Sequence, residues 1–140
     1  TASEINLGRE AVVNKAVELH RGQLKDPLEI LRRLGGRELA ACVGAIIAAR
    51  HQGVPVVLDG FATCVAAAVV HSINPKGLDH VMAGQITNRP SHKAILERIK
   101  LDPIYDLQLQ LGEGFGSVLA IHVLRAAAIT HRLQAEANTH

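Results

Sequence analysis

The spacing of apolar residues along the chain predicts that most of it is helical. Apolar side chains recur at helical spacing over residues 11–20, and residues 92–100 are amphipathic. Helices are predicted over residues 11–20, 27–34, 37–51, 62–72, 91–100 and 117–135. Asp26 and Pro27 suit the cap and the first turn of the second helix. Gly35 and Gly36 are expected to end that helix, and Gly53 to end the third. The third helix is so rich in Ala, Ile and Val that we expect it to be buried.

Two segments are predicted to be strands. Residues 54–58 form a short β-branched run before Asp59 and Gly60, and residues 78–83 form a second. Residues 103–111 are compatible with helix or strand, and residues 112–116 with a glycine-rich turn. Alternating strands and helices predict an α/β fold with a parallel sheet. We expect one unit over residues 1–140 without an internal boundary. Two strands are few for so many apolar helices, so the remaining strands are expected in an N-terminal part outside this sequence.

Composition and charge limit the classes of function that the chain can have. Hydrophobic residues make up 48% of the chain and aromatic residues 2%, which predicts a core of Ala, Val, Ile and Leu. The net charge of +2 and the few aromatic residues argue against nucleic-acid binding. Apolar runs are too short to span a bilayer, and the polar N-terminus shows no signal peptide. These features predict a soluble, cytoplasmic protein that does not interact with membranes.

Cysteine and histidine patterns do not indicate a metal centre. Cys42 and Cys64 lie in apolar helical runs, where they are expected to be small buried side chains in a reducing compartment. The histidines show none of the spacings of known metal motifs, and His80 and His92 are the nearest candidates. We therefore expect neither a metal ion nor another cofactor.

The strongest candidate for catalysis is Glu113. It lies among Gly112, Gly114 and Gly116, directly before an apolar helix. Glycines allow the backbone to approach a ligand closely, and a partly desolvated carboxylate beside Leu111 would be a better base near neutral pH. The same pattern is compatible with a tight turn in which the glutamate stabilises the helix N-terminus.

A second candidate site follows the clearest strand. In open α/β sheets, ligands bind beyond the carboxyl ends of the strands, which is where Asp59 and Gly60 lie. Capping of the following helix by Asp59 explains the residue equally well. Gly35 and Gly36 are likewise compatible with a helix end or with backbone amides that bind an anion.

Several motifs in a fixed order resemble the C-terminal half of the nicotinate-nucleotide:dimethylbenzimidazole phosphoribosyltransferase family. The similarity covers nearly the whole chain, and the order makes it specific. The motifs are DPLEIL at 26–31, GGRELA at 35–40, VPVVLDGF at 54–61, LDH at 78–80, PSH at 90–92, DL at 106–107, LGEGFG at 111–116 and LRAAA at 124–128.

The resemblance implies a Rossmann-like α/β fold, a homodimer and a reaction in the synthesis of the lower ligand of cobalamin. Ribosyl phosphate passes from nicotinate mononucleotide to 5,6-dimethylbenzimidazole, which gives α-ribazole 5′-phosphate and nicotinate. The glutamate of the family's G-E-G-x-G turn, here Glu113, is the base, and Leu111 packs on the benzimidazole. The family's phosphate-binding lysine corresponds to Arg9 and its serine to Thr87, whereas Asn88 would offer its backbone amide.

The chain also departs from the family pattern. The family's G-E-M-G-I-G-N-T-T segment, which supplies phosphate-binding amides and a second glutamate, is absent. Phe115 replaces a small residue and can crowd the pocket, Arg89 replaces a glutamate and Ser91 a glycine. The sequence therefore leaves two alternatives to catalysis. One is a base-binding or nucleotide-binding module without turnover, which associates with a partner or with the N-terminal half, and the other is a purely structural role.

Overall fold

Helices and three short strands alternate along the part of the chain that the computed structural model describes, residues 2–107 and 114–138. The long helices are α1 (Ala2–His20), α3 (Arg37–His51), α4 (Phe61–Ile73), α5 (Pro90–Ile99) and α6 (Phe115–Ala137), and the strands are β1 (Val56–Leu58), β2 (Val81–Gln85) and β3 (Pro103–Tyr105). Helix α2 (Pro27–Ile30) continues as a π-helical turn, Leu31–Gly35, and 3₁₀ turns cover Arg21–Gln23 and Pro75–Leu78.

The predicted ends of several helices are confirmed. Asp26 caps α2, and its Oδ1 accepts a hydrogen bond of 2.7 Å from the amide of Leu28. Helix α3 has the predicted bounds. The second strand was placed too early, because Asn74 accepts a hydrogen bond from the amide of Lys76 and starts a 3₁₀ turn through residue 78.

The three strands form a parallel sheet in the order β1-β2-β3. Val56 pairs with Val81, and Ala83 pairs with Pro103. Helix α4 connects β1 to β2, and α5 connects β2 to β3, as expected for parallel strands. The predicted α/β class with a parallel sheet is confirmed, and the carboxyl ends of β1 and β2 lie side by side.

Alternate strand residues face opposite sides of the sheet. On one side, Leu58, Val81 and Ala83 join the buried core formed with α3, α4 and α5. On the other side, Val57 and Met82 line a groove beneath α6. The core is aliphatic, as predicted, and includes Cys64, whereas Cys42 is only half-buried.

Helix α3 is less buried than its composition suggested. Only Val43 and Ile46 of this helix are buried, so the prediction of a buried helix is wrong for this structure. Apolar side chains on α1 and α6 are exposed as well, among them Val12, Leu19, Val118 and Leu133. The expectation of exposed apolar surface is confirmed, and surface of this kind typically marks a contact with another protein segment.

Candidate active site

A cavity of about 280 Å³ opens at the carboxyl ends of β1 and β2, and we call it the sheet-edge cavity. Its position agrees with the usual place of ligands in parallel α/β sheets. The predicted binding residues Asp59, Gly60, Thr87 and Asn88 all line it. Phe61, Gln85 and Arg89 complete its wall. The structure thus brings together side chains from two segments that are separate in sequence.

Asp59 connects this cavity to the first turn of α6. Its Oδ2 accepts a hydrogen bond of 3.0 Å from the amide of Gly114, and its Oδ1 accepts one of 3.0 Å from the amide of Ser117. The Ser117 hydroxyl donates to the carbonyl of Gly114 at 2.9 Å. A carboxylate that accepts from free amides at a helix N-terminus is stabilised by those amides and by the helix dipole. Asp59 is therefore a cap of α6.

The alternative in which Asp59 caps the next helix in sequence is wrong. Helix α4 begins with a reciprocal pair instead. The Thr63 hydroxyl donates to the carbonyl of Gly60 at 2.8 Å, and the amide of Gly60 donates to the Thr63 oxygen at 3.2 Å. Because Thr63 fills this position, the Asp59 carboxylate is free to reach α6.

Gly114 occupies a backbone conformation that favours glycine. Its φ is +89° and its ψ is 0°, in the left-handed region, where a Cβ atom would be strained. This conformation directs the amide of Gly114 toward Asp59. The backbone conformation thus explains the glycine after Glu113. The turn predicted at residues 112–116 begins outside the described residues.

A buried chain of side chains supports the other wall of the cavity. The amide of Thr87 donates to Nδ1 of His92 at 3.2 Å, and the Thr87 hydroxyl lies 3.0 Å from the same nitrogen. A backbone amide can only donate, so Nδ1 is the unprotonated nitrogen and Nε2 carries the proton. Nε2 then donates to Sγ of Cys64, 3.2 Å away. His92 is fully buried and fixes the position of Thr87.

The surroundings keep His92 and Cys64 uncharged. Burial, together with the positive charge of Arg89, lowers the pKa of His92 below its ordinary value. Burial, together with the negative charge of Asp59, raises the pKa of Cys64 to about 12. Both shifts favour the neutral forms. His92 and Cys64 are thus suited to hold the loop after β2, and less suited to act as a proton donor or a nucleophile.

Gln85 is a cavity residue that the sequence patterns did not single out. It ends β2, its side chain is 1% exposed, and neither Oε1 nor Nε2 has a hydrogen-bond partner among the described residues. It packs against Gly116, where an added Cβ atom would overlap the Gln85 side chain. Burial continues through Ala83 and Gly84 to Gln85 at the end of β2, so no alternating pattern in the sequence singles out this polar residue.

The remaining predicted site residues lie elsewhere. Arg9 is exposed on α1 and does not line the sheet-edge cavity. Leu111, Gly112 and Glu113 lie outside the described residues. Phe115 is 53% exposed and does not line the sheet-edge cavity.

Within residues 2–107 and 114–138, no three side chains of the types His, Cys, Asp and Glu come together in an arrangement that could hold a metal ion. None of the helices there combines the length and the apolar character that a membrane crossing requires.

Comparison with known proteins identifies the family of this chain. Residues 4–139 match a protein family described as phosphoribosyltransferase. The chain belongs to this phosphoribosyltransferase family. It is 46% identical over 131 residues to a nicotinate-nucleotide–dimethylbenzimidazole phosphoribosyltransferase of Brucella melitensis, and 50% identical over 121 residues to one of Methylocella silvestris. These alignments cover 94% and 86% of this chain, but 39% and 36% of the two relatives.

Solved structures of the family support the same fold. The chain resembles the nicotinate-nucleotide–dimethylbenzimidazole phosphoribosyltransferase of Thermus thermophilus with a TM-score of 0.70 and 42% identity. The match covers 76% of this chain and 32% of that one. The chain thus spans about a third of the length of the family members that it matches, and the resemblance to this family predicted from the sequence is confirmed.

Proposed function

We propose that the full-length protein carrying this chain transfers ribosyl phosphate from nicotinate mononucleotide to 5,6-dimethylbenzimidazole, a step in the synthesis of the lower ligand of cobalamin. The observation that carries this proposal is the contact of Asp59 with Gly114. It fixes Gly114, the glycine that follows Glu113, to a residue that lines the sheet-edge cavity. The relatives that the chain matches bear the name of this activity.

The proposed reaction requires one proton acceptor and good alignment of two rings. One ring nitrogen of the benzimidazole attacks C1′ of the ribose, and the bond between C1′ and the nicotinate nitrogen breaks. The bonding pair neutralises the positive charge on the nicotinate ring, which leaves. The N–H proton of the benzimidazole passes to the carboxylate of Glu113, the general base. Holding the two rings in line supplies much of the remaining acceleration.

The phosphate group is proposed to bind at the wall formed by residues 87–89. The amide of Asn88 and the Arg89 guanidinium offer a neutral and a charged donor, and a guanidinium suits a phosphate group well. The Thr87 hydroxyl lies on Nδ1 of His92, so it would have to turn from His92 to reach the phosphate. The charge at Arg89 differs from the glutamate of the family pattern, and it favours an anion at this cavity. Arg9 would have to contribute from a different place, because it does not line the cavity.

Substrate contacts are proposed for the other predicted residues as well. Gly60 would allow a ligand to approach the backbone at the end of β1, and Leu111 would pack on the benzimidazole beside Gly112. For Asp59 we propose an indirect role, because both of its oxygens accept hydrogen bonds from amides at the start of α6. Its function would be to position the segment before Gly114.

Association with further protein segments is part of the proposal. The exposed apolar residues of α1, α3 and α6 would be covered by the rest of the protein or by a second copy in a homodimer. The free thiols Cys42 and Cys64 agree with a reducing compartment such as the cytoplasm. The alternative is a nucleotide-binding module without turnover.

The decisive experiment compares the full-length protein with its Glu113→Gln variant. Nicotinate release from nicotinate mononucleotide and 5,6-dimethylbenzimidazole would be followed by chromatography. Glutamine keeps the shape of the side chain but cannot take the proton, so we expect release to fall by about 10²-fold or more. Release that is unchanged in the variant would exclude Glu113 as the base. A folded wild-type protein that binds the nucleotide without releasing nicotinate would favour the binding module.

A further inference from the structure

The carboxamide of Gln85 is an unused polar group at the sheet-edge cavity. A primary amide offers two N–H donors and one carbonyl acceptor. Both of its polar atoms are buried without a partner among the described residues, although Gln85 lines the cavity. Buried polar groups are almost always paired, and an unpaired one at a ligand cavity indicates that the missing partner comes with the ligand.

Neighbouring polar groups do not compete for the same ligand atoms. The two oxygens of Asp59 accept hydrogen bonds from amides at the start of α6, and the Thr87 hydroxyl lies 3.0 Å from Nδ1 of His92. Gly116 leaves room for the Gln85 side chain, because a Cβ atom at residue 116 would overlap Cδ, Cγ and Nε2 of Gln85. The first turn of α6 thus confines the carboxamide between the helix and the cavity.

On the basis of the proposed function, we infer that Gln85 binds a ribosyl hydroxyl of the nucleotide. A hydroxyl both donates and accepts, so it can satisfy the carbonyl and the N–H of one carboxamide. A phosphate dianion only accepts and would leave the carbonyl unpaired. The phosphate belongs beside Arg89, whose guanidinium forms no ion pair with an acidic side chain in the described part of the chain.

The described part of the cavity has a volume of about 280 Å³, which is room enough for a sugar ring. Gln85 becomes a determinant of affinity for the ribosyl group, and it is separate from the base.

The test uses Gln85→Met in the full-length protein, with Gln85→Leu as a second variant if the first does not fold. Both keep a similar volume and remove the donor and the acceptor. Calorimetric titration would measure the affinity for nicotinate mononucleotide and for inorganic phosphate. We expect the nucleotide Kd to rise about tenfold and the phosphate Kd to change by less than about twofold, since phosphate does not contact Gln85. Gln52→Met, at an exposed position, is the matched control.

Each outcome decides between a ligand contact and a structural role. Equal losses for the nucleotide and for phosphate would show that Gln85 merely supports the cavity, and no loss for either would show that it does not contact the ligand. Either result overturns the inference while leaving the proposed function intact, provided that the wild-type protein turns over. Failure of the wild-type protein to bind nicotinate mononucleotide would overturn both. The thermal midpoints of the ligand-free variants should not fall, because they remove unpaired groups.

Discussion

The amide of Gly114 donates a hydrogen bond of 3.0 Å to Oδ2 of Asp59, a residue that lies 55 positions earlier in the chain. Through this bond the end of β1 holds the start of α6. The glycine that follows the predicted base is thus fixed to the sheet by a carboxylate. The same carboxylate accepts a hydrogen bond from the amide of Ser117, so it connects the end of β1 with two residues at the start of α6.

Removal of the Asp59 carboxylate should affect both stability and turnover. Asp59→Ala leaves the amides of Gly114 and Ser117 without their acceptor, and loss of a helix cap costs about 0.5–2 kcal/mol. We expect unfolding in denaturant at a lower midpoint, and a kcat that falls more than this loss of stability accounts for, because Glu113 loses its anchor. Asp79→Ala is the control, since Asp79 forms only an exposed ion pair with Arg50. Turnover that matches wild type would refute the anchoring role.

The buried His92 predicts a loss of stability in acid. Its pKa is lowered by burial and by Arg89, so below its ordinary value of 6.5 the unfolded chain binds a proton that the folded chain does not. Stability is therefore present above that pH and declines as the pH falls toward the folded pKa, by at most about 1.4 kcal/mol per pH unit.

Denaturant unfolding between pH 7.5 and pH 5 would measure this contribution. His92→Asn should lower the free energy of unfolding at pH 7.5, because its partners Thr87 and Cys64 lose their contacts, and it should flatten the decline in acid. His51→Asn, at an exposed position of α3, should keep the wild-type decline. A His92 variant with the same pH dependence as wild type would show that another group causes it.

The two cysteines should differ in reactivity. Burial raises the pKa of Cys64 to about 12, so at pH 8 only about one thiol in ten thousand is a thiolate, the reactive form. Cys42 is half-buried. We expect iodoacetamide to modify Cys42 first in the native protein, and both residues at similar rates in denaturant, with peptide mass spectrometry as the measurement. Equal native rates would contradict the buried environment of Cys64.

Local patterns were sufficient for the elements whose ends carry strong signals. Gly35 and Gly36 before α3, and Asp26 with Pro27 before α2, act through their own backbone and side chains. The sequence left residues 103–111 open between helix and strand. Strand β3 contains only Pro103–Tyr105, and its pairing with β2 is what makes it a strand. The composition of α3 did not predict its burial here, since an apolar helix face reflects the whole protein and the chain spans about a third of its relatives.

Only some of the residues of the candidate site could be predicted from the sequence. Asp59, Gly60, Thr87 and Asn88 could be found because strand ends and family motifs mark them, and the structure brings them to one cavity. The partner of Asp59 could not be found, because a contact over 55 residues depends on the packing of α6 on the sheet. Gln85 was missed for a related reason: its burial depends on Gly116, which no local pattern connects with it.

Substitution of Gly116 tests that packing directly. In Gly116→Ala the new methyl group would overlap the Gln85 carboxamide, and overpacking costs about 1–3 kcal/mol, more than the roughly 1 kcal/mol that alanine gains in a helix. The free energy of unfolding should therefore fall. Gly44→Ala in α3, where no atom lies within 4 Å of the added Cβ, should instead gain about 0.5–1 kcal/mol. Combining Gly116→Ala with Gln85→Ala removes the overlap, so the double variant should lose less stability than the sum of the two single changes. Additive losses would mean that the two side chains do not meet in the folded protein.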